Sequence, residues 1–204
     1  AAVPFARNAL HARRKRRAGP EPRSRVDFDL ARHPLRGHLR AVARLAVRLA
    51  RRHGADPGGA RAAALLHDWL KPLPRRRLAR LLSGSGVRLD RATRGLPAIW
   101  HGPAAAALAP TVGVRNAAVR RAVRWHTTGR GRLSRLDGIL IVADYCAAGR
   151  GFREARVGRR LAARGLPLAL RYVVASKLAW LRSRGLRPHP ATLACWRGLW
   201  GRQA

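Results

Sequence analysis

Four histidines and two aspartates stand at the ends of, or inside, apolar helical stretches: His38, the adjacent pair His67-Asp68, His101, His126 and Asp144. Imidazole and carboxylate together suit iron, manganese and similar divalent ions, and such ions activate water. The chain has nine acidic residues, and two of them belong to this set. In a chain so poor in carboxylates, an Asp directly after His in "ALLHDWLK" and another in "ILIVADYC" point to a requirement for those groups.

Each fragment alone has a plainer reading. His67-Asp68 follows "AAALL" and fits a hydrogen-bonded core histidine beside a surface aspartate. Asp144 lies in an apolar run, where it is expected to be buried and to need a metal or one of the many arginines as partner. His38 near the start of an apolar-striped helix fits a structural role. His101 before Gly102-Pro103, and His126 before Thr127-Thr128-Gly129, sit where helix meets loop, the usual place for ligands. Jointly the six residues suffice for two ions that share the Asp68 carboxylate. His11, His33, His53 and His189 stand apart from this pattern and are not expected to bind metal.

The elements that must position these groups are helical. His38, Val42, Leu45, Ala46 and Leu49 recur at helical spacing, and Gly54 ends that segment. A second helix is predicted over 58–70, with His67-Asp68 in its last turns because Pro72 cannot continue it. A short helix near 75–82 and a Gly/Ser loop follow. "LPAIWHGPAAAAL" reads as a turn or short helix carrying His101, and 114–125 as a helix ending at His126. Ser134 and Asp137 form a capping box for the helix that holds Asp144. Further helices are expected near 152–164, 168–184 and 190–200, with no alternating strand pattern and no internal repeat. The fold class is therefore all-α, a helical bundle with a buried metal site. Trp100 and Trp125, each directly before a ligand candidate, are expected to pack in the core, with base stacking as the alternative.

Residues 1–30 are a basic, Pro-containing lead-in, read as a flexible arm with nucleic-acid binding as its alternative, and 31–204 as one domain. The net charge is +35, and 41 of the 44 basic residues are Arg. Because the arginines spread along the whole chain, compositional bias explains them better than a nucleic-acid footprint, although the field would attract polyanionic substrates in either case. No apolar run reaches the roughly 20 residues needed to span a bilayer. Cys146 and Cys195 form no CxxC pair and read as free thiols of a reducing cytoplasm. The absence of Met suggests that the true start of the chain is missing.

The order His…His-Asp…His…His…Asp resembles the HD-domain metal phosphohydrolases. The stretches "HLRAVARLAVRLARRHGAD", "AALLHDWLK", "LPAIWHGPAAAAL", "VRRAVRWHTTGR" and "LSRLDGILIVADYCAAGR" resemble the YqeK-type, symmetrical bis(5′-nucleosyl)-tetraphosphatase family within them. The resemblance covers about residues 36–200. It implies an all-α fold, a dinuclear centre of iron (with manganese, cobalt or nickel as alternatives) and hydrolysis of diadenosine tetraphosphate to two ADP by a metal-activated water. It implies that His38, His67, Asp68, His101, His126 and Asp144 are metal ligands. Asp68 and Lys71 are the catalytic candidates, and Lys71, Arg130 and Arg150 are candidates to hold the phosphates. Lys71 stands out as one of three lysines, with Lys15 and Lys177. Ala147-Ala148 replaces the acidic residue and proline that the family usually has after "ADY". The alternatives are another HD-type nucleotide phosphohydrolase, or a basic nucleic-acid-binding protein with a vestigial metal site. Homodimerisation is left open.

Overall fold

The structure is a computed structural model that describes residues 29–201. The basic lead-in, His11 and Lys15 among it, lies outside the described residues apart from its last two positions. Ten α-helices follow one another: α1 (Arg36–Arg52), α2 (Pro57–Leu66), α3 (Arg75–Gly84), α4 (Arg91–Arg94), α5 (His101–Leu108), α6 (Ala117–Trp125), α7 (Arg135–Cys146), α8 (Arg153–Arg164), α9 (Leu166–Ser183) and α10 (Pro190–Trp200). Short 3₁₀ turns at Pro97–Ile99 and Ala109–Val112 flank α5. There is no strand among the described residues.

α7 is the axis of the bundle. Residues 137–143 are all buried, so the helix is apolar on every side, as a central helix must be. It packs against α1, α2, α6, α8 and α9. Its start is set by the expected capping box: the Ser134 hydroxyl accepts from Asp137 N, and Asp137 Oδ2 accepts from Ser134 N. α1 turns Leu39, Val42, Leu45, Ala46 and Leu49 inward and leaves Arg40, Arg44 and Arg48 outside. α2 is built from small residues, with Gly59, Ala60, Ala63 and Ala64 buried, which lets it lie close to both α1 and α6. Its N-terminus is capped by the Asp56 carboxylate, which accepts from the amides of Gly58 and Gly59.

Three boundaries differ from the sequence expectation, and one helix was not foreseen. α2 stops at Leu66 rather than at residue 70, so His67-Asp68 begins a turn instead of closing a helix. The turn is tightened by 3₁₀-type bonds from Trp69 N to Leu66 O and from Lys71 N to Asp68 O, both 3.1 Å. Pro72 explains this: its ring would collide with the carbonyl of residue 68 and drives Lys71 out of helical geometry. α6 begins at Ala117 rather than 114 because Asn116 caps it. α9 covers Leu166–Ser183 rather than 168–184, since Pro167 is tolerated in its first turn. The four-residue α4, capped by Asp90, is too short to leave a periodic pattern.

Cys146 and Cys195 are free and buried. Cys195 lies on α10, which closes over the loop after His126. Gly129 has φ +67°, and a Cβ there would lie 2.6 Å from Cys195 Sγ. On the facing helix, a Cβ at Gly198 would collide with the Gly131 carbonyl oxygen. Gly198→Ala is therefore expected to destabilise the fold by about 1–3 kcal/mol through overpacking, against which helix propensity returns about 1 kcal/mol. A thermal melt reads the result. A midpoint equal to or above that of the parent would show that α10 does not close on this loop. No helix among the described residues is long and apolar enough to cross a membrane.

Candidate metal centre

Five separate pieces of chain deliver the six sequence-selected ligand candidates to one place. His38 comes from the first turn of α1, and His67 and Asp68 from the turn after α2. His101 opens α5, His126 follows the last residue of α6, and Asp144 lies in the last turn of α7. They form two triads, His38–His67–Asp144 and Asp68–His101–His126, each with its donor atoms within 4.8 Å of one another.

Asp68 joins the triads through its two oxygens. Oδ1 lies 3.1 Å from His101 Nε2 and 3.5 Å from His126 Nε2. Oδ2 lies 3.5 Å from His67 Nε2 and 3.7 Å from His38 Nε2. Asp144 Oδ1 completes the first triad, 3.3 Å from His38 Nε2 and 3.6 Å from His67 Nε2. Asp144 is less buried than its apolar sequence context suggested, with 17% of its side chain exposed. His38, at 21%, is the other partly open ligand candidate.

The outer ring nitrogens decide what the inner ones can do. Nδ1 of His67, His101 and His126 lies 2.7, 3.1 and 2.7 Å from the carbonyls of Ala64, Ala98 and Val123. A carbonyl only accepts, so each Nδ1 carries a proton, and in the neutral ring, the form that ligates a metal, the Nε2 lone pair turns inward. Yet His101 and His126 bring their Nε2 atoms within 3.2 Å of each other, and His38 and His67 within 3.3 Å. Asp68 Oδ1, buried beside two such lone pairs, has no hydrogen-bond donor. A buried set of acceptors facing each other needs a cation at its centre. The residues therefore fit divalent metal, one ion per triad with Asp68 between them.

Charge in the cluster follows the same geometry. Burial pushes the Asp68 and Asp144 carboxyls up, but the neighbouring histidines more than offset it and hold both well below the usual carboxylate range. Burial pushes His126 down to about 4, with Asp68 opposing and His67 and His101 adding to the effect. For His67, burial is outweighed by Asp144 and Asp68, and the net direction is upward.

Of the basic candidates, two come to the cluster and one does not. Lys71 Nζ donates to Asp68 Oδ2 at 2.8 Å, and an Arg150 guanidinium nitrogen donates to Asp144 Oδ1 at 3.0 Å. Both heads are partly exposed and line a cleft of about 600 Å³ with Pro34, Gly37, His38 and Asp68. Arg130 instead donates at 2.8 Å to Asp137, the buried carboxylate of the α7 capping box. Arg130→Ala would leave that carboxylate buried without its cation and is expected to cost about 3 kcal/mol of stability. Chemical denaturation reads this directly. Unchanged stability together with weakened substrate binding would return Arg130 to the phosphate-holding role.

The four other histidines lie elsewhere or, for His11, outside the described residues. His33 donates from Nε2 to the Trp69 carbonyl at 2.8 Å and so ties the start of α1 to the turn carrying Asp68. His53 donates to the Ala162 carbonyl, and His189 caps α10. Trp100 is buried and donates to Thr93 O, as expected of a core side chain. Trp125 is half-buried under the Arg124 guanidinium. One residue was missed. Lys177 on α9 donates to the Thr127 carbonyl at 3.2 Å and lines a second cleft together with Asp144 and Arg150. The signal that singled out Lys71, a lysine in a chain that otherwise uses arginine, applied equally to Lys177.

A helical bundle with a paired His-Asp centre defines a class, and comparison with known proteins agrees with it. The HD domain family matches residues 35–149. The chain belongs to the HD-domain family of phosphohydrolases. Among curated relatives, it is 30% identical over 156 residues to the symmetrical bis(5′-nucleosyl)-tetraphosphatase of Bacillus subtilis (strain 168), covering 76% of this chain and 83% of that protein. It is 29% identical over 163 residues to the protein of the same name from Halalkalibacterium halodurans, covering 79% and 87%. These relatives are of the YqeK type. Among solved structures, it resembles a predicted HD superfamily hydrolase involved in NAD metabolism from Clostridium acetobutylicum, with a TM-score of 0.77, 31% identity, and coverage of 82% of this chain and 89% of that one.

Proposed function

We propose that this phosphohydrolase cleaves dinucleoside tetraphosphates symmetrically, taking diadenosine tetraphosphate and water to two ADP, with a dinuclear centre whose preferred metal is iron. The observation that carries the reading is Asp68, one buried carboxylate whose two oxygens face two different ligand triads. The names of the relatives at about 30% identity support the substrate. Divalent ions held by the six ligands would supply Lewis acidity and an activated water.

The rest of the chemistry falls to the chain. Water adds at a phosphorus beside the central bridging oxygen, the bond to that oxygen breaks, and each half leaves as a nucleoside diphosphate. Lys71 and Arg150, on the open side of the cluster, neutralise the anionic chain and the charge that grows on the leaving diphosphate. In the structure both are engaged by ligand carboxylates. Once those carboxylates are balanced by cations, both heads are free to turn toward phosphate. His33 and the carbonyls of Ala64, Ala98 and Val123 hold the turn and the rings in place.

The test is product analysis on metal-loaded protein given diadenosine tetraphosphate. ADP as the sole product supports the reading. AMP with ATP would mean asymmetric cleavage and overturn it, and so would no turnover by protein carrying its full metal complement.

A further inference from the structure

Away from the ligand cluster, Asp90, Thr93 and His189 form a hydrogen-bonded line between α4 and α10. Thr93 and His189 are both buried. The Ala191 amide lies 3.1 Å from His189 Nδ1. An amide N–H only donates, so Nδ1 accepts and the single proton of the ring is on Nε2. Nε2 then donates to Thr93 Oγ1 at 3.1 Å, and the Thr93 hydroxyl donates to Asp90 Oδ2 at 2.8 Å. Asp90 Oδ1 accepts from Thr93 N at 2.8 Å. Every step therefore has one direction, from α10 to α4, between residues 96 apart in sequence.

Capping α10 does not require a histidine. Ser, Thr, Asp and Asn are the usual N-caps, and Asp56, Asn116 and Ser134 serve elsewhere in this chain. What an imidazole adds is a second nitrogen that reaches another helix while the first one caps. The residue it reaches is a junction. The Thr93 carbonyl accepts from Trp100 Nε1 at 2.8 Å, and Trp100, itself buried, directly precedes His101. Thr93 also lines a small cavity with Ile99, Trp125, Thr127 and Thr128, which flank His101 and His126.

α10 is tied to the other histidine of the same triad. Cys195 and Gly198 close on Gly129 and Gly131, in the loop that follows His126. The line from His189 through Thr93 to Trp100 thus joins the carriers of His101 and His126, whose Nε2 atoms stand 3.2 Å apart. The first triad is delivered by α1, the turn after α2 and α7, and none of these hydrogen bonds reaches those elements.

We propose that His189 is a positioning residue for the second triad: by gripping Thr93 from the start of α10, it fixes His101 relative to His126 and so sets how tightly that triad holds its ion. It touches neither ion nor substrate. The inference rests on the dinuclear reading of the cluster.

The test is calorimetric titration of metal-free protein with Mn²⁺. His189→Ser keeps an N-cap on α10 and removes the arm to Thr93. Thr93→Val removes the hydroxyl and keeps the carbonyl that holds Trp100. Two backgrounds isolate the triads: His101→Ala leaves the first one whole, and His38→Ala the second. In the His38→Ala background each variant is expected to weaken the remaining ion about tenfold, the lower end of what outer partners of a metal ligand contribute. In the His101→Ala background each is expected to leave it within about twofold. Combining His189→Ser with Thr93→Val is expected to cost little more than either alone, because they cut the same link. Equal losses in the two backgrounds would mean a general loosening of the fold and would overturn the positioning role, and so would no loss in either. A parent that takes up a single ion would overturn it together with the dinuclear reading. Products of diadenosine tetraphosphate from the same preparations separate this inference from the proposed reaction. Selective loss at the second triad in a protein whose parent form gives no ADP would keep the role of His189 and reject the reaction. ADP as sole product without selective loss would do the reverse.

Discussion

Asp68→Ala is expected to lower the hydrolytic rate by about a thousandfold or more and to leave the protein with at most one tightly held ion. The magnitude follows from what the residue touches. Asp68 is the single group shared by the two triads, with Oδ1 near His101 and His126 and Oδ2 near His38 and His67. Removing it takes an oxygen from both triads at once, together with the negative charge that would offset bound cations. Loss of one preorganised electrostatic group at a reacting centre commonly costs a hundredfold to a thousandfold in rate, and here the metal complement goes as well. Asp68→Asn separates shape from charge, because it keeps the oxygen that faces one triad and replaces the other by an amide donor. It is expected to be nearly as damaging. Elemental analysis alongside initial rates checks both variants. Two ions per chain and a rate within tenfold of the parent would reject Asp68 as the shared ligand.

Metal removal carries the second large effect, on stability. A ligand that binds only the native state at 100–1,000 times its Kd adds about 2.7–4.1 kcal/mol. In a domain of this size each kcal/mol moves the midpoint about 2–4 °C, so chelation is expected to lower Tm by about 5–16 °C and metal return to restore it. The source is specific to this cluster. Without a cation, paired Nε2 atoms 3.2–3.3 Å apart and an Asp68 oxygen without a donor are held together in a buried site. Folding brings these groups together whether or not a metal is present, so metal-free protein must bear their repulsion or relieve part of it by protonating histidine, as the upward shift of His67 indicates. Scanning calorimetry of the same sample before chelation, after it and after reloading gives the answer. An unchanged midpoint at verified zero metal would mean that the triads do not hold ions tightly.

The helices were legible because their determinants are local. The stripe of α1, the Asp56, Asn116 and Ser134 caps and the proline and glycine stops can be read within a few residues of each helix end. The largest boundary error came from treating Pro72 only as a stop. Its steric reach extends back to residue 68, so the helix yields at Leu66 and the His67-Asp68 pair rides on a turn. Arg130 shows the limit for long side chains. A guanidinium can reach several partners, and proximity in sequence to His126 says nothing about which one it meets. It meets Asp137, seven residues along the chain.

The residue types of the centre were set by the sequence alone, since a run of four histidines and two aspartates in apolar surroundings has few uses, and the order of those residues is that of the HD domain. Which oxygen of Asp68 faces which triad depended on packing α1, α2, α5, α6 and α7 around one point, as did the direction of each imidazole and the openness of His38 and Asp144. So did the gathering of Lys177, Tyr145 and Tyr172 into one cleft with Asp144. Donor chemistry is a property of a side chain and survives in one dimension. Distance, burial and the spending of each hydrogen bond arise between segments as far apart in sequence as His38 and Asp144, and only the folded chain decides them.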